Sequence, residues 1–166
     1  KEFMKLNFFV DENVLIPRQD TEILVEEVIG IAQKINAKKI LDLCTGSGAI
    51  AVALAKYLPQ SEITAIDISK DALKIAKKNA ITNKVENQIT FINSDMVTTL
   101  YKEKFDIIIS NPPYIEENSE KIEKQVLKNE PHTALFGGKS GLDFYERIIK
   151  DLKNIINEGQ YDVINC

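Results

Sequence analysis

Asn111-Pro112-Pro113-Tyr114 follows the apolar run Phe105-Asp106-Ile107-Ile108-Ile109-Ser110 without a break. A buried strand therefore delivers a short side-chain amide into a loop stiffened by two prolines, each of which fixes φ and lacks a backbone donor. Such a loop offers its carbonyls and the Asn111 amide as preset partners for a polar N–H group. The same residues also serve as a plain strand-ending turn. Upstream, Cys44-Thr45-Gly46-Ser47-Gly48 joins the run Lys39-Ile40-Leu41-Asp42-Leu43 to a helical stretch ending at Pro59. Gly46 and Gly48 permit a tight turn and a close backbone approach, Ala51 lets the helix pack on the strand, and the helix start presents free N–H groups. The next apolar run, Glu62-Ile63-Thr64-Ala65-Ile66-Asp67, ends on a carboxylate about 20 residues past the glycines, the offset at which an acid meets ribose hydroxyls in nucleotide-binding units. Asp67 also precedes Ser69, a natural helix cap, so a structural reading stands beside the ligand one.

The elements that must position these groups follow from periodicity. Runs at 39–43, 62–67, 89–93 and 105–110 read as buried strands, and they alternate with helical patterns. That alternation predicts an α/β, Rossmann-like, doubly wound and mostly parallel sheet, with ligands beyond the carboxyl ends of the strands. Residues 44–48, Asp67, Asp95-Met96 and 111–114 all fall on that edge. Ahead of the sheet, Phe8-Phe9-Val10 and Val14-Leu15-Ile16, separated by Asp11-Glu12-Asn13, predict a short hairpin. Asp20 or Thr21 is placed to cap a helix with the stripe Leu24, Val28, Ile31 and Ile35. Another helix carries Ala72, Leu73, Ala76 and Ala80 inward, and Lys70, Lys74, Lys77 and Lys78 on its solvated side. Residues 115–128 read as a charged loop or irregular helix forming one wall of a cleft, and 130–138 as an ordered, turn-rich loop. Gly141-Leu142-Asp143-Phe144-Tyr145 opens a last helix with Ile148, Ile149, Leu152 and Ile156 inward, closed by Gly159, and residues 161–165 form a fifth strand.

Composition sets the outer limits. A length of 166 residues with 44% hydrophobic content suits one globular domain. No apolar run is long enough for a membrane span, and no signal peptide opens the chain, so a cytoplasmic protein is expected. A net charge of −4 argues against a broad nucleic-acid surface and favours a protein or small-molecule substrate. Two cysteines, Cys44 and Cys166, make no disulfide framework, and one histidine, His132, makes no metal constellation. Arg18 reads as a solvated loop charge, with a functional role left open by its place just before the nucleotide-type unit, and His132 as a surface or hydrogen-bonded loop histidine.

Taken together, these motifs resemble the class I methyltransferases that use S-adenosyl-L-methionine, and within them the peptide chain release factor glutamine methyltransferases of the HemK/PrmC type. The likeness rests on Val14-Leu15-Ile16-Pro17-Arg18-Gln19-Asp20-Thr21-Glu22, on residues 42–50, on Asn111-Pro112-Pro113-Tyr114-Ile115, and on the stretch from Glu130-Pro131 to Gly141-Leu142-Asp143. It implies methylation of a glutamine side-chain amide in a release factor, a step in translation termination. By the same resemblance Cys44, Thr45, Gly46, Ser47 and Gly48 line the methionine portion of the cofactor, Asp67 holds the ribose, and Asp95 and Met96 border the adenine. Asn111, Pro112, Pro113 and Tyr114 receive the target amide, with Asn111 also facing the cofactor and Asn111 and Pro112 supplying the catalytic acceptors. Cys44 stands where the family usually has glycine, and Gln19-Asp20 replaces a common Pro-Glu. The family's leading helical domain and its final strands are not in this sequence, so residues 1–19 read as a hairpin and linker and 20–166 as a catalytic domain with incomplete final strands. The polar tail suggests a strand later than the family's fifth. Two other readings share these residues: methylation of the exocyclic amine of a nucleobase, and an inactive cofactor-binding module.

Overall fold

The computed structural model of the chain describes residues 1–97, 100, 102–116 and 130–164, and the side chains of these except 152 and 158–164. The charged stretch expected at 117–128, the Leu152 side chain and Cys166 lie outside that set.

Five parallel strands make the central sheet: β3 (Lys39–Leu43), β4 (Glu62–Asp67), β5 (Ile89–Asn93), β6 (Phe105–Ser110) and β7 (Ile156–Ile164). Their spatial order is β5-β4-β3-β6-β7, so β3 sits in the middle and the chain reverses direction across it. Ile40, Ile63, Ala65, Ile107 and Ile109 face one side, where α1 (Asp20–Ile35), α2 (Ala49–Tyr57) and α3 (Lys70–Thr82) cover them. Leu41, Leu43, Ile66 and Ile108 face the other side, against Met96, Val97, Leu100 and α4 (Asp143–Ile155). Burial on both faces explains why these strands are runs of Ile and Leu rather than alternating patterns.

The hairpin exists, but not where its sequence pattern placed it. β1 (Glu2–Phe3) and β2 (Leu6–Asn7) pair antiparallel, Phe3 opposite Leu6. Residues 8–10 and 14–16 are irregular instead. Val14 is buried against Ala72 and Ile75 of α3 with Val10 packed beside it, and Phe8 meets Phe3 edge-on in the main core.

Other expectations need adjusting. No side chain caps α1: Gln19 holds the cap position, and Asp20 and Thr21 already lie in the first turn. Its buried stripe is Leu24, Val25, Val28 and Ala32, with Ile31 and Ile35 partly buried at the margin. Along α4, Ile148 and Ile155 are buried but Ile149 is 60% exposed, because position 149 turns away from the sheet. Ile156 and Gly159 belong to β7 rather than to the helix, and β7 pairs directly with β6, which excludes a later place in the sheet. Asp106 fastens this end: its carboxylate accepts from the backbone N–H groups of Lys38 (2.7 Å) and Lys39 (3.0 Å) and from Asn157 Nδ2 (2.8 Å).

Candidate active site

The carboxyl ends of four strands stop in line, Leu43 pairing with Ile66 and Ser110, and Asp67 with Asn93. Beyond them opens a cavity of about 350 Å³, within the range of small-ligand sites. Cys44, Thr45, Gly46, Ser47, Asp67, Asp95, Met96, Asn111 and Pro113 all line it. Gly48, Pro112 and Tyr114 do not: Gly48 is the cap of α2, Pro112 is buried, and Tyr114 is 54% exposed.

The glycine loop owes its shape to left-handed backbone at Cys44 (φ 60°), Gly46 (φ 53°) and Gly48 (φ 78°). Thr45 donates its N–H to the Ile66 carbonyl at 2.9 Å, bending the chain over the end of β4. A Cβ on Gly48 would stand 2.9 Å from Ala76 Cβ, so α3 lies directly on the loop. From that helix Asn79, fully buried, donates through Nδ2 to the Ser47 carbonyl at 2.8 Å and to the Phe9 carbonyl at 2.9 Å. Its Oδ1 accepts the Phe9 N–H at 2.8 Å. A polar residue on an apolar helix face thus ties the loop to the leading segment.

Two carboxylates stand under and beside the loop. Asp42 is fully buried in β3 and accepts the Thr45 hydroxyl at 2.6 Å, while among the described residues no donor reaches Oδ1 in good hydrogen-bond geometry, the Ala51 N–H acting only as a nearby dipole. Burial pushes its carboxyl up to about 7, against the lowering effect of the Thr45 hydroxyl and the Ala51 N–H. Asp67 accepts the Gly46 N–H at 2.8 Å through Oδ2 and the Ser69 N–H at 2.9 Å through Oδ1. Burial raises its pKa as well, countered by those backbone donors. Ser69 caps α3, its hydroxyl accepting the Ala72 N–H at 3.1 Å, so the structural reading of this corner holds alongside the cavity-lining one. The Cys44 thiol is pushed up to about 12 by burial and then by the nearby charges of Asp67 and Asp42, so it stays protonated.

Asp95 has a partner that local sequence pattern does not reveal. Arg147 of α4 reaches it at 2.7 Å and lines the same cavity. Arg18 is no free loop charge either: its guanidinium meets the Glu130 carboxylate at 2.7 Å, and the Glu130 side chain is 3% exposed. This pair joins Pro17 to Pro131, both on the cavity wall. His132 is exposed, lies edge-on to Phe136 at 5.4 Å and does not line the cavity.

Asn111 is half-buried beside Thr21, whose hydroxyl accepts its Nδ2 at 3.5 Å. That long contact engages the donor end of the amide, whose other end, Oδ1, is an acceptor. No local pattern pairs residues 90 positions apart. Thr21, Asn79 and Arg147 escaped the sequence reading for that reason.

The family model for the methyltransferase small domain matches residues 19–140. This chain belongs to the methyltransferase small domain family. Among curated relatives, the protein named release factor glutamine methyltransferase of Clostridium acetobutylicum is 45% identical over 161 residues, covering 95% of this chain and 56% of the relative. The protein of that name from Flavobacterium psychrophilum is 47% identical over 166 residues, covering 96% and 58%. The chain therefore spans a little over half the length of these relatives. A crystal structure of ribosomal protein L11 methylase from Lactobacillus delbrueckii subsp. bulgaricus superposes with a TM-score of 0.62 at 22% identity, over 91% of this chain and 62% of that one. That likeness concerns the fold: methyltransferases share this parallel sheet. Among the described residues, no helix is long and apolar enough to cross a membrane, and no three of His, Cys, Asp or Glu cluster as for a metal ion.

Proposed function

We propose that the chain is the catalytic part of a release factor glutamine methyltransferase, with residues 20–166 as the catalytic domain and residues 1–19 as its lead-in. One observation carries the reading: the glycine loop, Asp67, Asn111 and Pro113 line one cavity, in a chain 45% identical to a protein of that name.

The cavity suits S-adenosyl-L-methionine. Cys44 to Ser47 offer a backbone cradle for its methionine portion, with Gly48 shaping that cradle from behind. Asp67 is poised for the ribose hydroxyls, and Asp95 and Met96 border the adenine end. When bound, the cofactor supplies a methyl group on a sulfonium, which departs as a neutral thioether.

The protein's own task is to prepare a poor nucleophile, because an amide nitrogen shares its lone pair with the carbonyl. Asn111 Oδ1 accepts one N–H of the target amide and the Pro112 carbonyl accepts the other, which fixes the nitrogen and aims its lone pair. Positive charge grows on that nitrogen only in the transition state, so the two acceptors favour the transition state over the bound substrate. Tyr114 packs on the plane of the amide. Once methylated, the nitrogen is strongly acidic and sheds its proton to water.

The test uses the full-length protein with S-adenosyl-L-methionine and, in parallel, an intact release factor and an oligonucleotide carrying exposed adenine and cytosine. Mass spectrometry should find one added methyl on a release-factor glutamine and none on the bases. Methylation of the bases instead would replace this reading with the nucleobase one. Cofactor binding in calorimetry with no methyl added to either substrate would leave the inactive cofactor-binding module.

A further inference from the structure

The turn from Gly137 to Gly141 closes on the backbone of the Asn111–Tyr114 loop with no space for a side chain. A Cβ on Gly137 would stand 2.6 Å from the Pro113 carbonyl oxygen and equally 2.6 Å from that of Gly141. One on Gly141 would stand 2.4 Å from the Tyr114 carbonyl oxygen. Both glycines are buried. Two hydrogen bonds complete the grip: Ile115 donates its N–H to the Leu135 carbonyl, and Gly137 donates to the Ile115 carbonyl, both at 2.9 Å. The Gly137 carbonyl in turn accepts the Asp143 N–H at 3.1 Å, which anchors the turn to the start of α4. The loop is thus fixed at Ser110 by the sheet and at 113–115 by this turn.

We infer that Gly137 and Gly141 are positioning residues for the acceptor loop, their missing side chains letting the turn seat the Pro113 and Tyr114 carbonyls and so setting where Asn111 and Pro112 meet the target amide. This rests on the function proposed above. Gly137 does not occupy the left-handed region, so alanine there adds bulk without backbone strain. The added methyl must open both contacts, so the turn and the Pro113 carbonyl have to separate by roughly half an ångström or more. Displacements on the order of 1 Å are enough to cost a hundredfold in rate where geometry supplies the catalysis.

The experiment compares full-length wild type, Gly137→Ala and, as a control, Gly30→Ala, whose added Cβ meets nothing within 4 Å. Three quantities are read: affinity for S-adenosyl-L-methionine, hydrogen exchange of the Ile115 amide, and single-turnover methyl transfer to a release factor per cofactor-bound molecule. For Gly137→Ala, cofactor affinity should stay within about twofold of wild type, Ile115 exchange should rise at least about tenfold, and transfer should slow at least about tenfold. The release-factor concentration that half-saturates this single-turnover rate should barely move. Wild-type Ile115 exchange, or faster exchange with a wild-type transfer rate, would overturn the inference. If wild type itself leaves the release factor unmethylated, the proposed function fails, and the Ile115 comparison still decides whether the turn holds the loop. Should Gly137→Ala not fold, Gly141→Asn brings a Cβ against the Tyr114 carbonyl at a left-handed position that asparagine tolerates, and the same three readouts decide in the same way.

Discussion

Asp67 spends one carboxylate on two tasks, shaping the glycine loop through Gly46 and starting α3 through Ser69. Its replacement by alanine should therefore do more than remove a ribose partner. Hydrogen bonds to a charged group contribute about 1.5–3 kcal/mol each, so calorimetry on Asp67→Ala should show cofactor affinity weakened by at least about tenfold, together with a lower melting temperature. Wild-type affinity would remove Asp67 from the binding site. Asn111 differs, because among the described residues its side chain is held only by the long bond to Thr21. Asn111→Ala should leave melting and cofactor affinity nearly unchanged, while losing roughly 2.7–4 kcal/mol of transition-state stabilisation, a hundredfold or more in single-turnover rate. A destabilised variant that still transfers methyl groups at full rate would instead make Asn111 a turn residue. Cys44, the departure from the family's glycine, takes the left-handed φ of 60° that glycine enters without a Cβ penalty.

At the scale of elements, legibility followed the range of the forces. β3, β4 and β6 were plain in the sequence because strands covered on both faces are apolar for most of their length, and the edge strand β5, mostly half-buried or exposed, was still marked by Ile89, Phe91 and Ile92. The hairpin was misplaced because its two-residue turn is made by Met4 (φ 50°) and Lys5 (φ 58°), both left-handed, without the Asn or Gly that usually marks such a turn. Instead, the alternation at 8–16 records packing against α3 and the core. The glycine loop and the Asn-Pro-Pro-Tyr loop were legible as local motifs, whereas the Arg18–Glu130 pair joins residues 112 positions apart and leaves no periodic trace. Helix propensity gives a direct check on α1. Gly30 is exposed beyond its middle, and a methyl group added there would meet nothing within 4 Å, so Gly30→Ala should raise stability by about 0.5–1 kcal/mol in denaturant unfolding. A loss of stability would mean that the glycine serves a contact outside the described residues.

For the whole molecule, the least comfortable group is Asp42, ionisable yet wholly enclosed at the centre of the sheet. Its carboxyl, about 7 in the fold against 3.8 as the ordinary value, keeps its proton longer when folded than when unfolded. Between pH 4 and 7, on the order of the two pKa values, the folded chain binds more protons, so raising the pH through that window lowers stability, and the loss levels off above it. The difference corresponds to as much as about 4 kcal/mol. Asp67 shifts the same way, and Asp106 the opposite way, because burial, its largest single influence, is outweighed by the Lys39 and Lys38 N–H groups, the Asn157 amide and the Lys39 charge together. Replacing Asp42 with asparagine should flatten the dependence, seen as a melting-temperature gap between variant and wild type that shifts in the variant's favour as pH rises from 4.5 to 7 (about the window above). A gap moving the other way would show that Asp42 is ionised throughout.

The strand order also carries a history. β3, β4 and β5 are contiguous in the chain and adjacent in space, so half of the sheet can assemble with only α2 and α3 as crossovers, while β6 must return to the opposite edge of β3, Ile107 beside Ile40. Pairings between distant residues form late. In refolding followed by pulsed hydrogen exchange, the amides of Ile63 to Ile66 should gain protection before those of Ile107 to Ile109, and simultaneous protection would mean a single nucleus spanning both halves. On a ribosome, the glycine loop and Asp67 would be made before the Asn-Pro-Pro-Tyr loop is even synthesised. During that interval the open edge of β3 is a place where two nascent chains can pair with each other.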